Sequence, residues 1–306
     1  MITVLCGGVG AAKMLRGLSM VVPADLLCGI VNVGDDLVMH GLRICPDLDT
    51  ITYTLAGLDN TETGWGLAGE SWRVMEELSA LGGESWFSLG DRDLATHLYR
   101  TQRLAAGGSL TEITAELLAH HGVGLRLLPV TEDSLATVFT TPDGASLSFQ
   151  EYFVKHHHSI EVSSVSFEGA EAARPGAGVL EAIESADRIV ISPSNPMISI
   201  APILAVPGVL EVLRSRRDDV VAVSPLIGGK ALKGPADRLM GELGHPVSNG
   251  GIASLYREFA ATLLIDFSDA EDAADVIDHN MDCFVTNTVM DSPERSETLA
   301  MAVLSA

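Results

Sequence analysis

Positive charge is scarce in this sequence. Nineteen lysines and arginines face 41 aspartates and glutamates, for a net charge of −22. Such a surface repels a polyphosphate backbone at long range and argues against nucleic-acid binding. Aromatic residues make up only 5%, too few for the stacking platforms that hold single strands. The four cysteines, Cys6, Cys28, Cys45 and Cys283, form no C-x-x-C pair and no zinc spacing. Cys6 and Cys28 fall in apolar runs and read as small core residues in a reducing compartment. No apolar run approaches twenty residues, and no charged leader or cleavage signal precedes the first strand. A cytoplasmic protein with no membrane partner is therefore expected.

With 306 residues, 47% of them hydrophobic, the chain can bury a large core. Residues 2–6 form an apolar strand, Gly7-Gly8-Val9-Gly10 a turn, residues 11–18 a helix and 26–31 a second strand. That order is a βαβ unit. Helical periodicity covers 69–81 and 91–105, and the capping box from Ser109 to Glu112 opens a helix that ends at Gly122. From 125 to 167 the pattern turns to short β-rich runs around a Pro142-Asp143-Gly144 hairpin turn. Alternation then resumes, with helices at 178–185, 209–216 and 236–243 and strands at 188–192, 220–224 and 263–265. The fold class is α/β, with a mostly parallel sheet. One domain over 1–306, carrying a β-rich insertion at about 125–167, accounts for the pattern.

Two acidic segments follow the second strand: Asn32-Val33-Gly34-Asp35-Asp36 and Pro46-Asp47-Leu48-Asp49-Thr50. They sit on the loop leaving a strand's carboxyl end, where open α/β sheets bind ligands. Arg43 is the only cation among them. Carboxylates gathered without basic partners repel unless a hard cation or a proton joins them. The segment reads either as a Mg²⁺ site facing phosphate or as a solvated turn.

Further loops carry polar groups to other strand ends. Gly7, Gly8 and Gly10, followed by Lys13, let the backbone of a helix N-terminus approach a phosphate. The spacing is neither a Walker A loop nor the NAD fingerprint, because Met14 follows Lys13 and Lys13 replaces the third glycine. The stiff loop 192–202, with Ser194 and Asn195 between prolines, suits anion or nucleobase recognition; capping of a helix is the alternative. Gly228-Gly229 with Lys230 and Lys233 suits a diphosphate, although both lysines also fit an open surface. In Trp86-Phe87-Ser88-Leu89-Gly90-Asp91-Arg92-Asp93, an acid caps the following helix and Arg92 suits a phosphate or an aromatic ring. His156-His157-His158, read on a strand, point to alternating faces and form an exposed patch. His97 is open to either a core or a functional role.

The ordered set GGVGAAK, NVGDD, HGL, PDLDT, GWG, WFSLGDRDLATH, FQEYFV, SPSNPMISIAPIL and VSPLIGGKALKGPA resembles the 2-phospho-L-lactate transferase family from Ile2 to about Asp266. The resemblance implies a Rossmann-like three-layer core, often dimeric, so a homodimer is expected. It implies transfer of a phospholactyl or phosphoenolpyruvyl unit from a guanosine diphosphate-linked donor to the hydroxyl of the deazaflavin Fo, in coenzyme F-420 biosynthesis. GMP leaves and Mg²⁺ is required. By this resemblance Asp49 contacts Fo near the metal. The acceptor position that is often lysine is Ser88 here, with Asp91 and Arg92 beside it. Gly7, Gly8, Gly10, Ser194 and Asn195 match segments around the guanosine diphosphate, which Lys13 and Lys230 are placed to assist. Asp35, Asp36 and Asp49 are assigned to metal binding or to orienting the acceptor, with Asp49 as the base. A regulatory nucleotide- or nucleotide-sugar-binding protein of the gluconeogenesis-factor kind is the competing reading, and a non-catalytic scaffold a third. PDLDT and WFSLGDRD argue for the transferase.

Overall fold

Seven parallel strands carry the core of the computed structural model, which describes residues 1–61 and 64–306. In chain order they are β1 (Ile2–Cys6), β2 (Leu27–Val31), β3 (Arg126–Pro129), β4 (Arg188–Ile191), β5 (Val220–Val223), β6 (Thr262–Asp266) and β7 (Asp282–Thr286). Across the sheet they run β7-β6-β5-β4-β1-β2-β3. Every residue of β2, β5 and β6 is buried, as expected for parallel strands covered on both faces. Ile2 of β1 pairs with Leu27 on one side and Arg188 on the other. Connections leave β1 toward β2 and leave β4 toward β5, in opposite directions. Right-handed crossovers then put helices on opposite faces and open a crevice between β1 and β4 at the strands' carboxyl ends. The result is a Rossmann-like three-layer α/β fold.

Helix α1 (Gly8–Val21) buries Ala11, Ala12, Met14, Leu15 and Leu18 against the sheet and packs on α2 (Pro46–Leu55). The PDLDT segment, read from sequence as a loop, is the first turn of α2. Pro46 supplies a preset φ at the helix start, and Asp47 and Asp49 favour its positive end. Helix α3 (Asp91–Ala105) has the expected bounds, and α4 (Leu110–His120) opens with the expected Ser109–Glu112 capping box. The helix read at 69–81 is shorter, Arg73–Ala80. Helix α5 (Pro293–Ser305), not read from sequence, covers α1.

Of the stretch 125–167, β3 joins the edge of the main sheet beside β2. The separate β-rich part is a three-stranded antiparallel sheet, with Ala136–Thr140 between Ser146–Ser148 and Ser164–Glu168. It shares a small core with the main unit, where Phe139 and Tyr152 pack with Ile198 and Leu239. His156–His158 lie on a turn rather than a strand, with His157 and His158 at φ 48° and 42°.

Glycine at 17 is dictated by α5. A Cβ there would stand 2.2 Å from the carbonyl oxygen of Ser296. Gly17→Ala, far from the strand ends, is expected to destabilise the protein by about 1–3 kcal/mol, as overpacking does. A urea midpoint equal to wild type would show that α1 and α5 do not meet this closely.

Candidate active site

Loops from four strand ends converge at the crevice. After β1, Gly7 caps α1, and Gly8 takes φ 67°, a left-handed conformation open to glycine. The loop after β4 lies directly against this turn: a Cβ on Gly7 would stand 2.4 Å from Ser199 Cβ, and one on Gly10 2.3 Å from the Pro193 carbonyl oxygen. The Ser194 hydroxyl donates to the Gly7 carbonyl at 2.7 Å and the Ser192 hydroxyl to Leu5 at 2.7 Å. Ser194 thus braces the glycine turn. Asn195 Oδ1 accepts from Met197 N at 2.9 Å, while its buried Nδ2 has no partner among the described residues. A buried amide donor left open beside a ligand crevice is suited to a ligand acceptor.

The acids separate into two kinds. Asp36 pairs with Arg43 at 2.9 Å; burial nevertheless raises its carboxyl to about 6, with Arg43 opposing. Asp49 is held by Arg100, whose Nη1 donates to Oδ2 at 3.1 Å and whose Nη2 meets Oδ1. Both side chains are buried, so the expectation that these acids lack basic partners is corrected for Asp36 and Asp49. Asp35 and Asp47 have no ion-pair partner among the described residues. One amide joins them: Asn32 Nδ2 donates to Asp35 Oδ1 at 3.3 Å and to Asp47 Oδ2 at 3.1 Å. Burial, then Asp47 and Asp36, push the Asp35 carboxyl well above the carboxylate range. Burial raises Asp47 to about 7, against hydrogen bonds from Asn32 and the Gly8 N–H. Two buried carboxylates sharing one amide at the glycine turn form a donor set that fits a hard divalent cation.

Asp49 belongs to a second buried chain of polar groups. His97 Nδ1 lies 3.7 Å from Asp49, and its Nε2 lies 3.2 Å from Asp93. The Tyr53 hydroxyl donates to Asp93 at 2.6 Å. Burial alone would raise Asp93, but the bonds from His97 and Tyr53 hold it below its ordinary value. Asp93, His97 and Arg100 sit at helical spacing on one face of α3. That i, i+4, i+7 pattern is the signal by which sequence reasoning could have found them. Asp93 also lines a cleft with Trp65, Leu67, Glu70 and Trp72, the two tryptophan rings 6.1 Å apart.

The remaining residues singled out from sequence are placed as follows. Ser88 is exposed beside buried Leu89. Asp91 accepts from Ser71 at 2.5 Å, and Arg92 Nη1 donates to the Ala68 carbonyl at 2.5 Å, so both side chains bind the 68–74 segment. Lys13 donates to the Met290 carbonyl at 2.8 Å. Burial, then the nearby Lys233, lowers its pKa. Lys233 is therefore the lysine brought to Lys13. Lys230 is exposed on a two-stranded hairpin. The hairpin's Gly228 and Gly229 N–H groups donate to Asp269 at 2.8 and 2.7 Å, so they are not open to a diphosphate.

Fold and crevice define a doubly wound α/β protein with its ligand site at the switch point of the sheet. A family model described as 2-phospho-L-lactate transferase CofD matches residues 2–302. The phosphoenolpyruvate transferase of Nocardia farcinica is 44% identical over 272 residues, covering 87% of this chain and 82% of that protein. The 2-phospho-L-lactate transferase of Methanococcoides burtonii is 40% identical over 302 residues, covering 99% and 98%. A solved Bacillus halodurans structure of the UPF0052 family superposes with TM-score 0.62 at 18% identity, covering 99% and 98%, and shows the shared fold alone. The chain belongs to the 2-phospho-L-lactate transferase family.

The buried pair sets a pH dependence. The fold raises Asp47 from 3.8 to about 7 and so favours its protonated form. That stabilising contribution is present in acid and is lost as pH rises from about 4 to about 7. Without divalent cations, wild type should lose stability relative to Asp47→Asn between about pH 4 and about pH 7, and no further above that. Parallel urea-unfolding curves for the two proteins across that range would show that Asp47 titrates as an ordinary acid.

Proposed function

We propose that this protein moves a phospholactyl or phosphoenolpyruvyl unit from a guanosine diphosphate-linked donor to the hydroxyl of the deazaflavin Fo, releasing GMP, in coenzyme F-420 biosynthesis. The observation that carries the reading is the Asp35–Asp47 pair, buried beside the glycine turn with no basic side chain paired to it among the described residues. Asp35 and Asp47 would hold Mg²⁺; Asp36 and Asp49, paired with arginines, are left out of the set. When bound, Mg²⁺ supplies positive charge against the diphosphate oxygens as the bond to the leaving group breaks.

The chain's own residues do the rest by position. The first-turn N–H groups of α1, with Lys13 and Lys233, take the diphosphate. The free Asn195 amide faces an acceptor on the guanosine side. Asp49, held at both oxygens by Arg100, orients the acceptor hydroxyl; the hydroxyl oxygen bonds to the phosphorus carrying the three-carbon acid as that phosphorus's bond to GMP breaks, and the hydroxyl proton leaves on the departing GMP phosphate. With both oxygens taken by the Arg100 guanidinium, Asp49 acts here by orientation.

Incubation with Fo and each candidate donor, followed by mass analysis, tests the reaction. Phosphodiester product and GMP are expected with Mg²⁺ and none with EDTA; full turnover in EDTA would remove the metal from the scheme. A second measurement addresses the base. GDP should raise the melting temperature more than ADP or UDP, since a ligand bound only by the folded state stabilises it. Asn195→Asp, which keeps the Met197 cap but lacks the N–H₂ donor, should lose that preference. Equal stabilisation by all three diphosphates in wild type would mean a generic phosphate cradle.

A further inference from the structure

The three-stranded layer plays no part in the chemistry above, yet it reaches the carboxylate loop twice. Thr137 N–H donates to the Gly34 carbonyl at 2.7 Å. The Gln150 amide donates to the main-chain carbonyl of Asp35 at 2.8 Å, across 115 positions of sequence. Gln150 is 5% exposed, so this bond forms away from competing water and fixes the direction of the peptide it meets.

Asp35 needs such a brace. Besides a backbone N–H of its own residue, its carboxylate meets the Asn32 amide at a long 3.3 Å, and the same Asn32 side chain also serves Asp47 and accepts from the Gly34 N–H at 2.8 Å. The main chain at Asp35 therefore decides whether its carboxylate converges with that of Asp47. Gln150 opens a single π-helical turn, Glu151–Lys155, a widened turn that recurs at functional sites. The turn is anchored without Gln150: Tyr152 stacks on Phe139 with centroids 4.1 Å apart and accepts from Arg238 at 2.9 Å. At its far end, Lys155 Nζ lies 5.9 Å from the centroid of the Trp86 ring.

We infer that Gln150 is a positioning residue for the cation pair, holding Asp35 in register with Asp47 through the Asp35 carbonyl. This rests on the assignment of Asp35 and Asp47 to a divalent cation. The β-rich layer thereby becomes the outer support of the metal loop, and cation affinity depends on a residue that touches no ion.

Direct Mn²⁺ binding, read as the loss of the free-ion electron paramagnetic resonance signal, separates the possibilities without an activity assay. Wild type, Gln150→Met, Gln150→Asn and Lys155→Met are compared as full chains, with melting curves recorded for each. Wild type should bind. Both Gln150 variants should weaken binding on the order of 10- to 100-fold, as loss of a second-layer partner does, with melting temperatures close to wild type. Lys155→Met, at the other end of the same turn, should bind as wild type does. Unchanged affinity in a folded Gln150 variant overturns the inference, as does equal weakening by Lys155→Met, which would mean the whole turn had loosened. Absence of Mn²⁺ binding in wild type would instead overturn the cation assignment beneath it.

Discussion

Buried negative charge is the constraint around which this molecule is organised. Four acids lie within fifteen residues, and α2 and the loop after β2 bring them into a desolvated space at the strand ends. An ionised carboxylate out of water is costly unless it is paired. The fold answers in two ways. Asp36 and Asp49 receive arginines; the Arg100 side chain comes from α3 and is itself fully enclosed. Asp35 and Asp47 have no ion-pair partner among the described residues and receive neutral donors, the Asn32 amide reaching both and the Gly8 N–H reaching Asp47. The unpaired acids are the ones that lie beside the glycine turn.

The arginine pairing also divides the site by function. Asp49, His97, Asp93 and Tyr53 form a rigid chain leading away from the glycine turn toward the tryptophan cleft. Opening the Asp49–Arg100 pair from one side would leave the other charge buried alone, at a cost of about 3–5 kcal/mol. Stability and the placement of the Asp49 carboxylate are therefore carried by the same contact.

Much of this architecture was legible from local chemistry. The β1–glycine–α1–β2 unit, the capping box of α4 and the bounds of α3 follow from periodicity and end signals that no tertiary contact overrides. The family resemblance, carried by the ordered motifs, agrees with the match over residues 2–302. What escaped was set by distant partners. Nothing near PDLDT announces Arg100, so its acids read as an unpaired loop. The Gly228-Gly229 turn looked open to phosphate, but Asp269 had already taken its N–H groups. Lys233 rather than Lys230 approaches Lys13 because the short hairpin between them carries Lys230 outward. Arg126–Pro129 read as part of the insertion because an edge strand four residues long carries little periodicity of its own.

The bond from Lys13 to the Met290 carbonyl spans 277 positions of the chain, and α5 follows directly to cover α1. Helix α1 thus waits for the last described helix before its outer face is covered. During synthesis the glycine turn can form with β1 and β2, but the lysine beside it stays untethered until residue 290 is available. Competence of this crevice is consequently a late event in the life of each molecule.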